Sequence, residues 1–299
     1  MDGVAGWEII ELDTVGSTQE EVKARLRAGA APPLAVRARV QTAGRGRRGN
    51  EWSSPEGGLW LSFAISAPPP ADPFLGLLLA SCAREAVTQL LPDPHPPLRL
   101  KWPNDLVLTR PDGSLAKWGG LIVEVQAAHP PAPPGALHLV FGLGLDLRIP
   151  VEGLPDPSGR GLAPPSILAE FDQSPSPGSC LPRILSLFDR RLSEDRVPGG
   201  RDRSVERILP HLDTVGRSIV WSAEAAPAVA DAPAPRGSGR AVGLASDGGL
   251  FVEVPEEGTD APSRRCVLRS GEVHHVQRTS PPTRTPAPRA ASGTRRSDR

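Results

Sequence analysis

Residues 41–54, QTAGRGRRGNEWSS, lie between two stretches whose apolar residues recur at every second position. Leu34, Val36, Ala38 and Val40 precede the segment, and Leu59, Leu61, Phe63 and Ile65 follow it. A period of two marks a half-buried β-strand. The glycine-rich loop therefore joins strand to strand, which removes two nucleotide-binding architectures. The dinucleotide fold needs its glycine fingerprint to open a helix, and the P-loop needs Gly-Lys-Ser/Thr at its end. What remains is a loop with three glycines in six residues, able to bring backbone close to a ligand. Its three arginines, Arg45, Arg47 and Arg48, carry permanent charge. Taken alone, the segment fits a solvated basic loop, a nucleic-acid contact or a phosphate-binding loop.

The rest of the chain reads as alternating elements. Residues 7–12 form a short strand. Ser17 and Thr18 open a helix, with capping-box spacing from Thr18 to Glu21 and, one residue earlier, from Ser17 to Glu20. Val22 and Leu26 share one helix face, and Gly29 stops the helix. Residues 74–91 form a buried helix. Residues 98–101, 106–108, 115–125 and 137–148 are strands, with a Pro-Asp-Gly-Ser turn at 111–114. Helical patterns return near 166–172, 181–195 and 203–212. Beyond residue 213, short β-like runs at 218–221, 240–244, 250–254, 266–268 and 272–276 predict a small β-barrel. The last 21 residues hold five arginines, four prolines and almost nothing apolar, the composition of a disordered tail. The expected division is 1–212, 213–278 and 279–299.

Composition excludes some functions. Lys+Arg total 34 and Asp+Glu total 34, so net charge argues neither for nucleic acid nor for a solvating acidic chain. No apolar run approaches ~18 residues, so no membrane span is expected. The start, MDGVAGWEIIELD, lacks a signal peptide's basic and apolar regions, which makes the cytoplasm the expected location. Cys82, Cys180 and Cys266 are isolated, which supports neither a disulfide framework nor a zinc site. His274 and His275 are adjacent on a strand, so their rings face opposite ways, which argues against a shared metal and for a structural role.

Only three of the 34 basic residues are lysines: Lys23, Lys101 and Lys117. Lysine is a compact point charge, not a planar fork, so a chain this rich in arginine keeps a lysine where the position needs one. Two of the three fall in ligand-like motifs. Lys101-Trp-Pro-Asn104-Asp105 ends a strand in a proline turn. Lys117-Trp-Gly-Gly120-Leu-Ile-Val-Glu opens an apolar strand with a glycine pair. Phe141-Gly-Leu-Gly-Leu-Asp146 then places glycine at alternate positions, for close packing or for a flat ligand.

Taken together and in this order, Ser17-Thr18-Gln19, the Arg-Gly loop, K-W-P-N-D-L, K-W-G-G-L-I-V-E and G-L-G-L-D closely resemble the catalytic domain of biotin–protein ligases. The C-terminal part looks like that family's SH3-like barrel. The resemblance covers residues 7–278. It implies an α+β fold: a class II synthetase-like catalytic domain with a mixed sheet and packed helices, followed by the barrel. It implies ATP-dependent activation of biotin as biotinyl-5′-AMP, with Mg²⁺, and transfer to a lysine of a biotin carboxyl carrier protein. The alternatives are a lipoate or octanoate transferase of related fold and a catalytically silent biotin-binding protein.

The resemblance also assigns roles to residues. Lys117 would contact the biotin carboxylate and the α-phosphate. Arg45 and Arg47 lie in a loop that closes over the adenylate, with its glycines as hinges. Asp105 would face the carrier lysine. The biotin set is Ser17, Thr18, Gln19, Gln41, Gly44, Arg45, Gly46, Arg47, Lys117 and Gly120. The ATP set is Arg47, Arg48, Trp52, Ser53, Asn104, Lys117 and Asp146, with Trp52 against adenine and Lys101 near phosphate. The family usually carries Asn where Asp146 stands, so an amide donor is lost and a negative charge is expected there. Some relatives carry an N-terminal helix-turn-helix. Here the first strand starts near Trp7, so no sequence-specific DNA binding is expected, while the sheet edges could pair two subunits.

Overall fold

Strand β1 (Glu8–Val15) pairs in parallel with β2 (Leu34–Gln41), and helix α1 (Thr18–Arg27) crosses between them. β3 (Leu59–Ala67) returns antiparallel to β2. After helix α2 (Phe74–Thr88) come β4 (Leu98–Lys101), β5 (Asp105–Thr109), β6 (Leu115–Ala127) and β7 (Leu137–Leu145). The order across the sheet is β1-β2-β3-β7-β6-β5-β4, so β7 inserts beside β3 at the centre. Helices α3 (Pro177–Asp195) and α4 (Gly200–Ile208) follow. The computed structural model describes residues 4–110, 113–128, 135–150, 167, 173–222, 236–255 and 263–275. Of the expected elements, the helix near 166–172 lies outside the described residues apart from Ile167, and so does the tail 279–299.

The two sheet faces are covered differently. Phe63 and Phe141 stack at 4.9 Å between centroids, and Phe188 of α3 meets both edge-on at 5.4 Å. Rings of this size each bury enough apolar surface to contribute about 2–3 kcal/mol. Helix α2 lies on this face with apolar residues nearly all round, as a helix enclosed by sheet and α3 requires. On the opposite face, Val22 and Leu26 of α1 pack on Val36, Ala64 and Val140. Both faces of β3 are therefore buried, and Trp60, Ser62 and Ala64 are as enclosed as Leu61 and Phe63. The alternation in the sequence predicted only one buried face.

All five strands expected after residue 213 are present: β8 (Ser218–Ser222), β9 (Arg236–Leu244), β10 (Leu250–Val254), β11 (Arg264–Leu268) and β12 (Glu272–His275). They form one antiparallel sheet in the order β11-β10-β9-β8-β12. A charged hub ties it to the first sheet's helices. Arg201 of α4 donates to Asp195 and Asp72 and to the Ser246 carbonyl, and lies 4.2 Å over the Phe74 ring. Among the described residues no helix is long and apolar enough to cross a membrane.

Candidate active site

The register of the central strands places three glycines on the face that α1 covers. Gly142 is opposite Ser62 and Ile122, and Gly144 is opposite Trp60 and Gly120. At the N-terminus of α1 this glycine floor is met by two side chains. A Cβ on Gly142 would come 2.8 Å from Gln19 Oε1, and one on Gly144 would come 2.7 Å from Trp52 Nε1. Close packing, one of the two readings of these glycines, is what the structure holds. Gln19 Oε1 and Trp52 Nε1 are buried polar atoms without a hydrogen-bond partner among the described residues. Buried orphans of this kind mark a place where a ligand or water completes the set.

The start of α1 departs from the capping-box expectation. Ser17 is the N-cap, with no side-chain cap hydrogen bond, and Glu21 pairs with Arg25 at 2.8 Å. Thr18 turns inward. Its backbone N–H donates to Gln41 Oε1 at 2.8 Å, and its hydroxyl lies 3.0 Å from that oxygen and 2.8 Å from Ser62 Oγ. Gln41 Nε2 donates to Ser54 Oγ at 2.8 Å. Gln19 Nε2 donates to Glu124 and to the Val140 carbonyl, both at 3.1 Å. Lys23 bridges Glu124 and Glu20 at 2.8 Å each. Burial would raise the Glu124 pKa, but the hydrogen bonds from Lys23 and Gln19 outweigh it and hold the carboxyl low.

The Arg-Gly loop folds on itself as a short ladder. Bridges join Gln41 to Ser54 and Arg45 to Glu51, and the Trp52 N–H donates to the Gly44 carbonyl at 2.9 Å. A Cβ at Gly44 would collide with the Trp52 carbonyl oxygen. Close packing by itself therefore requires glycine there. The arginines are held by protein acceptors. Arg45 pairs with Glu20. Arg47 donates to Asn104 Oδ1 at 3.0 Å and to the Gly271 carbonyl at 3.3 Å. Arg48, at φ +57°, donates to Glu272 at 3.0 Å.

The two lysines meet at one carboxylate. Lys117 Nζ is 2.5 Å from Asp105 Oδ1, and Lys101 Nζ is 3.7 Å from Asp105 Oδ2. Lys117 also lies 5.0 Å over the Trp52 ring, a cation–π distance. Asn104 orients this turn by donating Nδ2 to the Leu121 carbonyl at 3.0 Å.

These side chains line one cavity of about 730 Å³. It brings together Ser17, Thr18, Gln19, Gln41, Arg45, Gly46, Arg47, Arg48, Trp52, Asn104, Asp105, Lys117 and Gly120, as the sequence predicted. A second cavity of about 680 Å³ shares Arg45–Arg48, so the loop is a partition between two spaces.

Three expected residues do not line the first cavity: Gly44, Ser53 and Asp146. Ser53 is exposed, and Ser54 takes the inward position by accepting from Gln41 and donating to the Trp52 carbonyl at 3.0 Å. Asp146 is 4% exposed. Burial pushes its pKa up to about 8, with Lys117 pulling partly the other way. Burial thus favours the neutral carboxyl, which keeps a donor and opposes the negative charge expected from the Asn-to-Asp departure. Sequence reasoning missed Ser54, Ser62, Glu272, Val273 and His274. The first two sit on the unread face of a strand or one step from the predicted serine. The last three arrive from the C-terminal sheet.

The model of the biotin/lipoate A/B protein ligase family matches residues 13–144, the stretch that carries this cavity's floor and loop. Over that stretch the chain is similar to the biotin/lipoate A/B protein ligase family. The chain is 30% identical to the bifunctional ligase/repressor BirA of Bacillus spizizenii, over 51% of its own length and 44% of that protein. It is 27% identical to the biotin–[acetyl-CoA-carboxylase] ligase of Paracoccus denitrificans, over 80% of its length and 88% of that enzyme. The matches thus span less than half the length of the bifunctional relatives. Among solved structures, the biotin protein ligase from Aquifex aeolicus in complex with biotin and ATP superposes with a TM-score of 0.67. That match has 21% identity and covers 90% of this chain and 99% of that one. At that identity the likeness establishes the fold: a mixed sheet with packed helices and a second antiparallel sheet at the C-terminus.

Proposed function

We propose that the chain is an ATP-dependent ligase that activates biotin as biotinyl-5′-AMP and transfers it to a lysine of a biotin carboxyl carrier protein. One observation carries this reading. Lys117, Lys101 and Arg47 converge on the Asn104–Asp105 turn, in the same cavity as the hydroxyl and amide groups of Ser17, Thr18, Gln19 and Gln41. Cations and neutral polar groups in one space suit a substrate with a carboxylate at one end and an uncharged polar ring at the other.

In the first step a carboxylate oxygen of biotin attacks the α-phosphorus of ATP, and pyrophosphate leaves. Two unit charges at ~4 Å repel by about 4 kcal/mol at an effective dielectric near 20. The Lys117 ammonium offsets this by exchanging Asp105 for the two oxyanions. Arg47, held at the rim by Asn104, adds charge on the phosphoryl oxygens. Arg45 and Gly46 form the loop that covers the mixed anhydride and excludes water. In the second step the carrier's lysine amine attacks the biotinyl carbonyl, and AMP leaves. Asp105, released from Lys117, accepts the amine's proton. No nucleophile of the chain itself is needed.

Mg²⁺, when bound, would supply charge neutralisation on the triphosphate. Among the described residues no three His, Cys, Asp or Glu side chains gather into a cage. The cavity carboxylates Glu51, Asp105 and Glu272 are oxygen donors that would hold such an ion. We divide the chain accordingly, with residues 1–212 as the catalytic unit and 213–278 as the C-terminal unit that closes the cavity's rim.

The test is incubation with biotin, ATP, Mg²⁺ and a carrier domain, read as intact mass of the carrier. A gain of one biotinyl group on one lysine is expected. An unmodified carrier with biotin, but a lipoyl or octanoyl adduct when those acids replace it, would move the chain to the lipoate side of the family.

A further inference from the structure

Adjacent His274 and His275 of β12 face opposite ways. His274 lines the large cavity, while His275 points into the joint between the two sheets. Its Nε2 is 3.3 Å from Thr214 Oγ1, and Thr214 is fully buried. Thr214 Oγ1 accepts the backbone N–H of Trp102 at 2.9 Å. The same connection docks on β4 through the Asp213 N–H, which donates to the Leu100 carbonyl at 2.8 Å. Trp102 is the residue from which the chain turns into Asn104 and Asp105, the partners of Arg47 and Lys117.

We propose that His275 is a positioning residue: through Thr214 it holds the Trp102 backbone, and with it the Lys101–Asp105 turn, in the geometry that presents Lys117 and Arg47 to the reacting oxyanions. The inference rests on the ligase reading of this cavity. Four titratable or charged groups act on the ring, His274 from the opposite face of the strand. Asp213 Oδ2 is 3.6 Å from Nδ1, Arg217 pairs with Asp213 at 2.7 Å, and Lys101 and His274 lie nearby. Burial foremost, then Lys101, pushes the His275 pKa down to about 4, so the ring is neutral in any ordinary assay. In the tautomer that keeps its proton on Nδ1, 3.6 Å from Asp213 Oδ2 and beyond hydrogen-bond distance, Nε2 accepts from the Thr214 hydroxyl. That hydroxyl proton is then committed to His275, and the oxygen's lone pairs remain for the Trp102 N–H. Without the imidazole, Thr214 can rotate and Trp102 loses a fixed acceptor. The turn is a short loop, and small displacements of charged groups about a reacting phosphoryl centre carry large rate penalties.

The experiment is biotin-dependent ATP–pyrophosphate exchange by the full chain, comparing the unaltered protein with His275→Ala, Thr214→Val, Thr214→Ser and the His275→Ala/Thr214→Val pair. We expect His275→Ala and Thr214→Val each to lower kcat roughly 10- to 100-fold, with KM for biotin within about twofold. The double variant should be no worse than the worse single one, because both remove the same relay. Thr214→Ser, which keeps the hydroxyl, should recover most of the rate. A merely structural role would shift KM and kcat together with melting temperature and would let the two losses multiply. Exchange in the unaltered protein with kcat unchanged in His275→Ala and Thr214→Val, or multiplicative losses, overturns the inference alone. No biotin-dependent exchange in the unaltered protein overturns the ligase reading and the inference with it. Thr214→Val is nearly isosteric, so it decides the matter even if His275→Ala does not fold.

Discussion

Replacing Asp146 by Asn removes a titratable carboxyl while leaving shape and hydrogen-bonding capacity nearly unchanged. In the folded chain this carboxyl ionises near pH 8, against 3.8 for the free side chain. The native state therefore binds more protons than the unfolded state across that interval. Below pH 3.8 both states are protonated and the group imposes no penalty. Between 3.8 and about 8 the unfolded state ionises and the native state does not, so stability falls as pH rises, by at most about 1.4 kcal/mol per pH unit. The ceiling across the interval is about 6 kcal/mol, and relaxation around the buried group lowers it. Asn has no such penalty. The Asp146→Asn variant should be the more stable protein, and its advantage should grow by about 1–3 kcal/mol between roughly pH 5.5 and 7.5. Urea unfolding of both proteins at the two pH values measures this, and the comparison cancels every other titrating group. An advantage that stays constant with pH would refute a buried, protonated Asp146.

Three further outcomes follow from named contacts. Lys117→Ala should leave the melting temperature nearly unchanged, because the ion pair with Asp105 is partly exposed. The same change should cut adenylate formation by about 10²–10³-fold in single-turnover assays. Gly44→Ala forces a Cβ into the Trp52 carbonyl and should destabilise by about 1–3 kcal/mol, read as a lower urea midpoint. Arg201→Ala leaves the buried Asp195 carboxylate without its cation and should cost about 3–5 kcal/mol, whereas a melting point within a degree or two would show that the hub is incidental.

Much of this site was legible because it is built from local motifs. The Arg-Gly loop, the K-W-P-N-D turn and the K-W-G-G strand each read as a ligand-like motif on their own, and it is the resemblance of the whole series to a known family that implied one site. The readings failed where a contact spans the chain. Ser62 lies on the face of β3 that alternation assigned to solvent, and only the docking of α1 buries it. Gly142 and Gly144 offered two readings, and the choice depends on Gln19 and Trp52 arriving from elsewhere. Ser53 was preferred to Ser54 because the ladder within the loop, which fixes the inward residue, has no signature in composition. Thr18 matched a capping box yet turns to Gln41, since tertiary partners outcompete a local cap. His274 and Glu272 reach the cavity from more than a hundred residues away in the chain, and no period in the sequence reports that.

The account turns on Lys117 changing partners. A crystal structure with biotin and a non-hydrolysable ATP analogue should find its ammonium within about 3 Å of the carboxylate and an α-phosphate oxygen, with Asp105 released and Arg47 on the phosphoryl side. An ammonium still bound to Asp105, with both ligands seated away from the glycine floor, would contradict it.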